Sequence, residues 1–222
     1  MNESNHSFYE KGNLVMTQII NDPAIEHLTK TEEVFLHIVR TYGLPASWSR
    51  PTGFVSLVQI ILEQQVSLNS AKATFLKLNN GLGEVTPKSV SSCKVEELRS
   101  FGVSRPKAHY IQGLALNVIN GDIDIEGLSD RSYAEVFEEL VRIKGIGPWT
   151  AQIYLMFALQ SPDIYPPGDI ALINTILELW PNIGRSHISS KTLEWSPYRS
   201  TACYLLWHYY LKKRGRAHPD DL

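Results

Sequence analysis

The sequence predicts an all-α fold, and three observations carry that expectation. Apolar residues recur at helical spacing almost everywhere, strict alternation over the length of a strand is scarce, and short connections rich in Gly, Pro and Ser separate the periodic stretches. With 222 residues, 43% of them hydrophobic, the chain can bury a sizeable core in one unit or two small packed ones.

In chain order, Val34, Phe35, Ile38, Val39 and Tyr42 form an amphipathic stripe, with Thr31 as its N-cap. The stretch GFVSLVQIILEQQVS reads as a more buried helix, with Phe54, Leu57, Val58, Ile61 and Leu62 on one side. A third helix covers 70–78 and stops at Asn and Gly. Further helices fit 95–100, 106–120 with Gly121 as stop, and 132–142. Then come 148–160, 170–180, a short one near Lys191, and 198–213. The chain is expected to form one unit over 1–222 made of two helical lobes, 55–135 and 1–54 with 136–222, with a cleft between them.

Twenty-one Lys and Arg against 23 Asp and Glu leave a formal charge of -2, so any surface for a polyanion must be local. One stretch has that asymmetry. From Arg185 to His218 the chain holds Lys191, Arg199, Lys212, Lys213, Arg214 and Arg216 besides Arg185, against the single acid Glu194, although a solvated face would read the same way. Two cysteines, Cys93 and Cys203, cannot build a four-cysteine iron-sulfur or zinc site, and they point to a reducing compartment such as the cytoplasm. No apolar run is long enough for a bilayer, and MNESNHSFYEKGN has no signal-peptide character, so no membrane partner is expected.

The segment VRIKGIGPWTAQIYLMF sets Gly145 and Gly147 between two helical stretches, with Pro148 where a first helical turn tolerates a missing N–H. Glycines permit positive φ and remove side chains, so amides at the start of the second helix, with Thr150 in its first turn, can approach a phosphate. Such a hairpin would position DNA without reading its sequence. A helix stop followed by a helix start would look the same. One helix further on, SPDIYPPGDIAL delivers Asp169 to the start of another helix, either as a plain N-cap or as a functional carboxylate.

Together, IKGIGPWTAQ and YPPGD resemble the helix-hairpin-helix, Gly/Pro-rich loop, Asp (HhH-GPD) superfamily of DNA glycosylases. The likeness extends to ILEQQVS, LRSFGVSRPKAHYI and WSPYRSTACYLLWHYY, and within the superfamily these segments look most like 3-methyladenine DNA glycosylase II. The resemblance implies that Asp169 stabilises the cationic sugar formed as a damaged, flipped-out base leaves duplex DNA. It implies an intact strand at the abasic site, because Trp149 stands where strand-nicking members carry a Schiff-base Lys. Trp149 and Trp207 match aromatic positions of the base pocket, where an alkylated, cationic purine would stack, though tryptophans at helical spacing are also ordinary core. Ile153 replaces an aromatic often found one turn on, and Tyr154, counted with the pocket, turns to another side of the helix. Gln65 matches the wedge, with Gln64 beside it able to reach the opposite strand.

By the same likeness, Gly102, Ser104 and Lys107 would meet a second stretch of phosphates, and Arg199 and Ser200 the backbone near the flipped nucleotide. Main-chain oxygens of Val141, Ile143 and Ile146 would hold a Na⁺ or K⁺ that orders the turn; no cofactor is expected in the bond breaking itself. The expected partner is double-stranded DNA with damaged bases, bound by a monomer in the cytoplasm, at the nucleoid or in a nucleus. Two other readings stay open: a hairpin module that docks DNA without catalysis, and a helical protein-interaction domain. A mismatch-specific adenine glycosylase or a strand-nicking pyrimidine glycosylase of the superfamily would usually bring a four-cysteine cluster, which two cysteines cannot form.

Overall fold

The computed structural model describes residues 19–46 and 48–216, and among these every regular element is a helix. Their order is α1 (Asp22–Thr31), α2 (Glu33–Tyr42), α3 (Phe54–Glu63), α4 (Leu68–Leu82), α5 (Pro87–Ser92), α6 (Val95–Ser100), α7 (Arg105–Asn120), α8 (Tyr133–Val141), α9 (Pro148–Phe157), α10 (Ile170–Leu179), α11 (Ile188–Leu193) and α12 (Arg199–Lys213). Short 3₁₀ turns precede α8 and α11. The expected N-terminal part of one lobe, 1–18, and the first thirteen residues read for a signal lie outside the described residues.

Local chemistry sets most boundaries. Thr86 with Ser89 and Ser132 with Glu135 form reciprocal capping boxes at the starts of α5 and α8. Gly121 closes α7 in the left-handed conformation, as its sequence position predicts. Thr31, however, is no N-cap. It is the last residue of α1 and donates its hydroxyl to the His27 carbonyl at 2.9 Å, while Glu32, extended at φ -138°, breaks the chain between α1 and α2. The expected stop after residue 78 also gives way: α4 runs through Asn79, Asn80 and Gly81 to Leu82, with Gly83 as its C-cap. Gly81 is accommodated inside the helix because the Phe101 ring lies where a Cβ would stand, at 2.2 Å.

Packing follows two groupings. α5 and α6 lie on α7, and α3 lies on α4 and α7; on the other side α2, α10 and α12 pack together with α1. α8 and α9 pair with each other, and α9 touches both groups, through α3 and through Phe157 stacked on Tyr204 of α12 at 5.1 Å. The buried apolar side chains run through both groupings as one cluster. Its aromatic centre is Phe35, fully enclosed, with the edges of Trp180 and Trp195 against it at 5.8 and 5.3 Å. Lys191 and Trp180 both bond to Glu32, tying α11 to the joint between α1 and α2. No helix among the described residues is long and apolar enough to cross a membrane.

Truncating Phe35 removes a ring with no solvent exposure. Phe35→Ala is therefore expected to lower stability by about 3–5 kcal/mol, while Leu193→Ala, on a side chain 61% exposed, changes it by less than about 0.5 kcal/mol. Denaturant midpoints of the two variants check the contrast.

Candidate active site

The link between α8 and α9 is a tight hairpin anchored from below. Ile143 and Ile146 are buried, and the Ile146 amide donates to the Ile143 carbonyl at 3.0 Å, closing the turn. Gly145 sits at φ +98°, and a Cβ there would stand 2.2 Å from Cγ of the Tyr110 ring, so both backbone angle and packing require glycine. Gly147 is different: its φ is -88° and nothing lies within 4 Å of a Cβ position, so the absent side chain leaves an open approach. Gly147 caps α9 without a side-chain bond and Pro148 follows, so the first-turn amides face outward at the positive end of the helix.

Asp169 lies across from this hairpin as the N-cap of α10. Its Oδ1 accepts the Leu172 amide at 2.9 Å and the Trp207 indole N–H at 3.3 Å; its Oδ2 accepts the Trp149 indole N–H at 3.0 Å. The sequence left open whether this acid is a helix cap or a site residue, and geometrically it does both. It is half-buried and lines a cleft of about 950 Å³ together with Gln64, Gln65, Tyr110, Gly145, Gly147, Trp149 and Thr150. Behind it, Tyr165 in the Pro-rich loop has a buried hydroxyl without a hydrogen-bond partner among the described residues. Burial above all, then nearby Cys203 and Asp169, push its pKa up, so the phenol stays neutral.

The other expected residues divide sharply. Gln65 is exposed at the tip of the α3–α4 turn with φ +58° and lines the cleft. Gly102, at φ +93°, and Ser104, the N-cap of α7, are exposed. Trp149 lines the cleft; Trp207 reaches the same carboxylate from α12, packed against Phe157 at 5.7 Å and Tyr204 at 6.0 Å, and is not part of the cleft wall. Ile153 is 4% exposed and Tyr154 fully enclosed, its hydroxyl accepting the Gly53 amide at 2.9 Å at the start of α3; both are core.

Five residues expected on DNA are instead occupied within the protein, one of them Thr150, 2% exposed, whose hydroxyl accepts from the Gln64 amide. Ser200 is fully buried, donating to the Ser161 carbonyl at 2.6 Å and accepting the Ile164 amide at 3.0 Å. The Arg199 guanidinium grips Asp163, at 2.8 Å from Nε, and holds that carboxyl below the usual range against the burial that pushes it up. Lys107 donates to the Leu62 and Gln64 carbonyls, both at 2.8 Å. Gln64 donates to the Gly145 carbonyl and the Thr150 hydroxyl, both at 2.9 Å.

Part of the basic run near the C-terminus is spent similarly: Lys191 pairs with Glu32 and Glu194, Lys213 with Glu178, and the Arg214 guanidinium lies 3.9 Å over the Tyr210 ring. The cations at the cleft are Arg142 and Lys144, both exposed and both missed by the reading of net charge along the chain. Their signal was the alternation VRIKGIG, two basic residues flanking a buried Ile just before the hairpin. Among the described residues no cluster of His, Cys, Asp or Glu has the makings of a metal site.

Comparison with known proteins agrees with this geometry. A family model for the HhH-GPD superfamily of base excision DNA repair proteins matches residues 58–197. The chain is 29% identical to DNA-3-methyladenine glycosylase 1 of Schizosaccharomyces pombe over 82% of its own length and 84% of that protein's. A Bacillus subtilis relative named for the DNA-3-methyladenine glycosylases is 28% identical over 162 residues, and the match spans 68% of this chain and 56% of the relative. Among solved structures, S. pombe 3-methyladenine DNA glycosylase in complex with abasic DNA superposes with a TM-score of 0.75 at 26% identity, over 84% of this chain and 95% of that one.

The two hairpin glycines should respond differently to a methyl group. Gly145→Ala is expected to cost on the order of 1–3 kcal/mol from backbone strain alone, with the clash against Tyr110 adding to it; Gly147→Ala is expected to cost less than about 1 kcal/mol. Thermal or denaturant unfolding of both variants decides.

Proposed function

This chain belongs to the HhH-GPD superfamily of base excision DNA repair proteins, and from that premise we propose that it is a monofunctional DNA glycosylase. Its substrates are alkylated bases of the 3-methyladenine and 7-methylguanine type in double-stranded DNA, and its product is an abasic site. The observation that carries the reading is the Asp169 carboxylate, fixed by two indole N–H groups at a cleft that also holds the glycine hairpin.

The chemistry begins with turning the damaged nucleotide out of the stack into the cleft. Gln65, exposed at its turn, fills the space left behind, and the amides of Gly147 and the first turn of α9, with Arg142 and Lys144, hold the distorted backbone. The bond from C1′ to the base nitrogen breaks with its electron pair kept by the base. An alkylated purine, cationic while attached, leaves neutral, so little acid catalysis is needed. The positive charge now on the sugar faces Asp169, whose orientation is preset by Leu172, Trp149 and Trp207. Water adds its oxygen to C1′ and loses its proton to solvent. The exposed part of Trp149 offers an aromatic face that favours a cationic base over a normal one. Because position 149 carries an indole and no amine, no Schiff base forms there and the strand stays whole.

A monovalent cation bound by main-chain oxygens of Val141, Ile143 and Ile146 would order the hairpin and offset phosphate charge. The residues suit it: all three line the cleft at one turn, and the Ile143 oxygen, which accepts one amide, keeps a second lone pair. The protein acts as a monomer, at the nucleoid of a bacterial cytoplasm or in a nucleus.

Purified protein is expected to release 3-methyladenine or 7-methylguanine from methylated duplex DNA, with strand breaks appearing only after alkali. Asp169→Asn is expected to slow release by on the order of 10²–10³ while duplex binding persists. Release from no member of a lesion panel, with binding retained, would leave a docking module without catalysis.

A further inference from the structure

We propose that Gln64 and Lys107 are positioning residues that lock the Gln65 wedge to the phosphate-gripping hairpin, so that gripping the backbone and opening the stack are one mechanical event. The proposal rests on the glycosylase reading above and deepens it.

The turn between α3 and α4 is four residues long, and its tip is strained. Gln65 holds φ +58°, a region that non-glycine residues enter only when their surroundings impose it. Its own turn supplies long bonds, Gln64 N to Ile61 O at 3.3 Å and Val66 N to Glu63 O at 3.4 Å. Firmer constraints come from elsewhere. Lys107, from α7, draws the Leu62 and Gln64 carbonyls together from one side, in a setting where burial lowers its pKa and nearby Glu63 raises it again. On the other side the Gln64 amide nitrogen donates both its hydrogens to the hairpin, one to the carbonyl of Gly145 and one to the hydroxyl of Thr150.

Glu63, the residue before, is fixed by a bidentate pair with Arg50 at 2.8 and 3.1 Å, both side chains under 15% exposed. Three consecutive residues, the last of α3 and the first two of the turn, thus have separate duties: 63 is anchored inward, 64 is bolted to the hairpin, and 65 projects outward. A bolt at residue 64 that only stabilised the fold could end anywhere on α9. This one ends at Gly145 and Thr150, on the elements that present amides to phosphate, one residue from the wedge.

The consequence is kinetic and specific to opening the stack. Gln64→Met keeps the shape and removes both donors. It is expected to slow single-turnover excision from a fully paired duplex by about tenfold, with no measurable slowing when the lesion sits in a bulge whose stack is already open. In the double variant Gln64→Met/Gln65→Ala, excision should be no slower than in Gln65→Ala alone. Lys107→Met should show the same dependence on pairing, and Lys107→Arg, which can span both carbonyls, should restore it. Equal slowing on paired and bulged substrates, or additive losses in the double variant, would overturn the proposal. A 2-aminopurine beside the lesion reports unstacking without bond cleavage, so the same comparison is run in the Asp169→Asn background. If the unmutated protein unstacks but excises nothing, the glycosylase reading fails and the lock stands; if Gln64→Met unstacks as fast as its parent, the lock fails and the glycosylase reading stands.

Discussion

The Asp169 carboxylate accepts hydrogen bonds from three helices at once: the first turn of its own α10, the indole of Trp149 at the start of α9, and the indole of Trp207 in α12. That convergence fixes where the start of the hairpin helix sits relative to α10 and α12, and so it holds the carboxylate in place on the wall of the cleft. Bonds to a carboxylate are stronger than neutral ones, and the N-terminus of α10 adds a partial positive charge on the same side. A carboxylate held in this way needs no reorganisation when a cation develops in front of it, which is the condition under which electrostatic stabilisation acts best. The structural role and the chemical role do not compete, because the donors that cap and brace the acid also aim it.

Electrostatics outside that point is arranged economically. A chain whose formal charge is -2 cannot attract DNA over its whole surface. Part of the C-terminal basic run closes internal pairs that hold α11 and α12: Lys191 with Glu32, Arg199 with Asp163 and Lys213 with Glu178. At the cleft itself the pull comes from Arg142, Lys144 and the first-turn amides of α9. Glu63, which would otherwise set a negative charge in the same cleft, is matched by Arg50.

Legibility in the sequence followed the range of the interaction. Asp169, Gly145 and the helices α7 and α8 were readable because caps, glycine stops and capping boxes act within a few residues. Helix α1 escaped because its apolar face is thin, with Ala24 and Leu28 alone buried, and α5 because it is six residues long with one buried side chain, Val90. The passage of α4 through Asn79, Asn80 and Gly81 reads as a stop until Phe101 is seen over the glycine. Side-chain duties were the least readable. Gln64 and Gly145 are 81 residues apart, and Arg199 and Asp163 are 36 apart, so a polar side chain that seemed free for DNA could not be recognised as spent. The family likeness assigned Ser200 and Ile153 by position, but their burial is decided by packing that no local pattern records.

The account stands or falls on whether Asp169 faces the sugar of an everted nucleotide. The most direct measurement is equilibrium binding of duplex DNA in which one nucleotide is replaced by a protonated pyrrolidine, compared with the same duplex carrying a neutral tetrahydrofuran. The unmutated protein should prefer the cation by about tenfold or more, roughly 1.4 kcal/mol, and Asp169→Asn should bind both duplexes alike. Equal affinities in the unmutated protein, or a preference that survives Asp169→Asn, would contradict it.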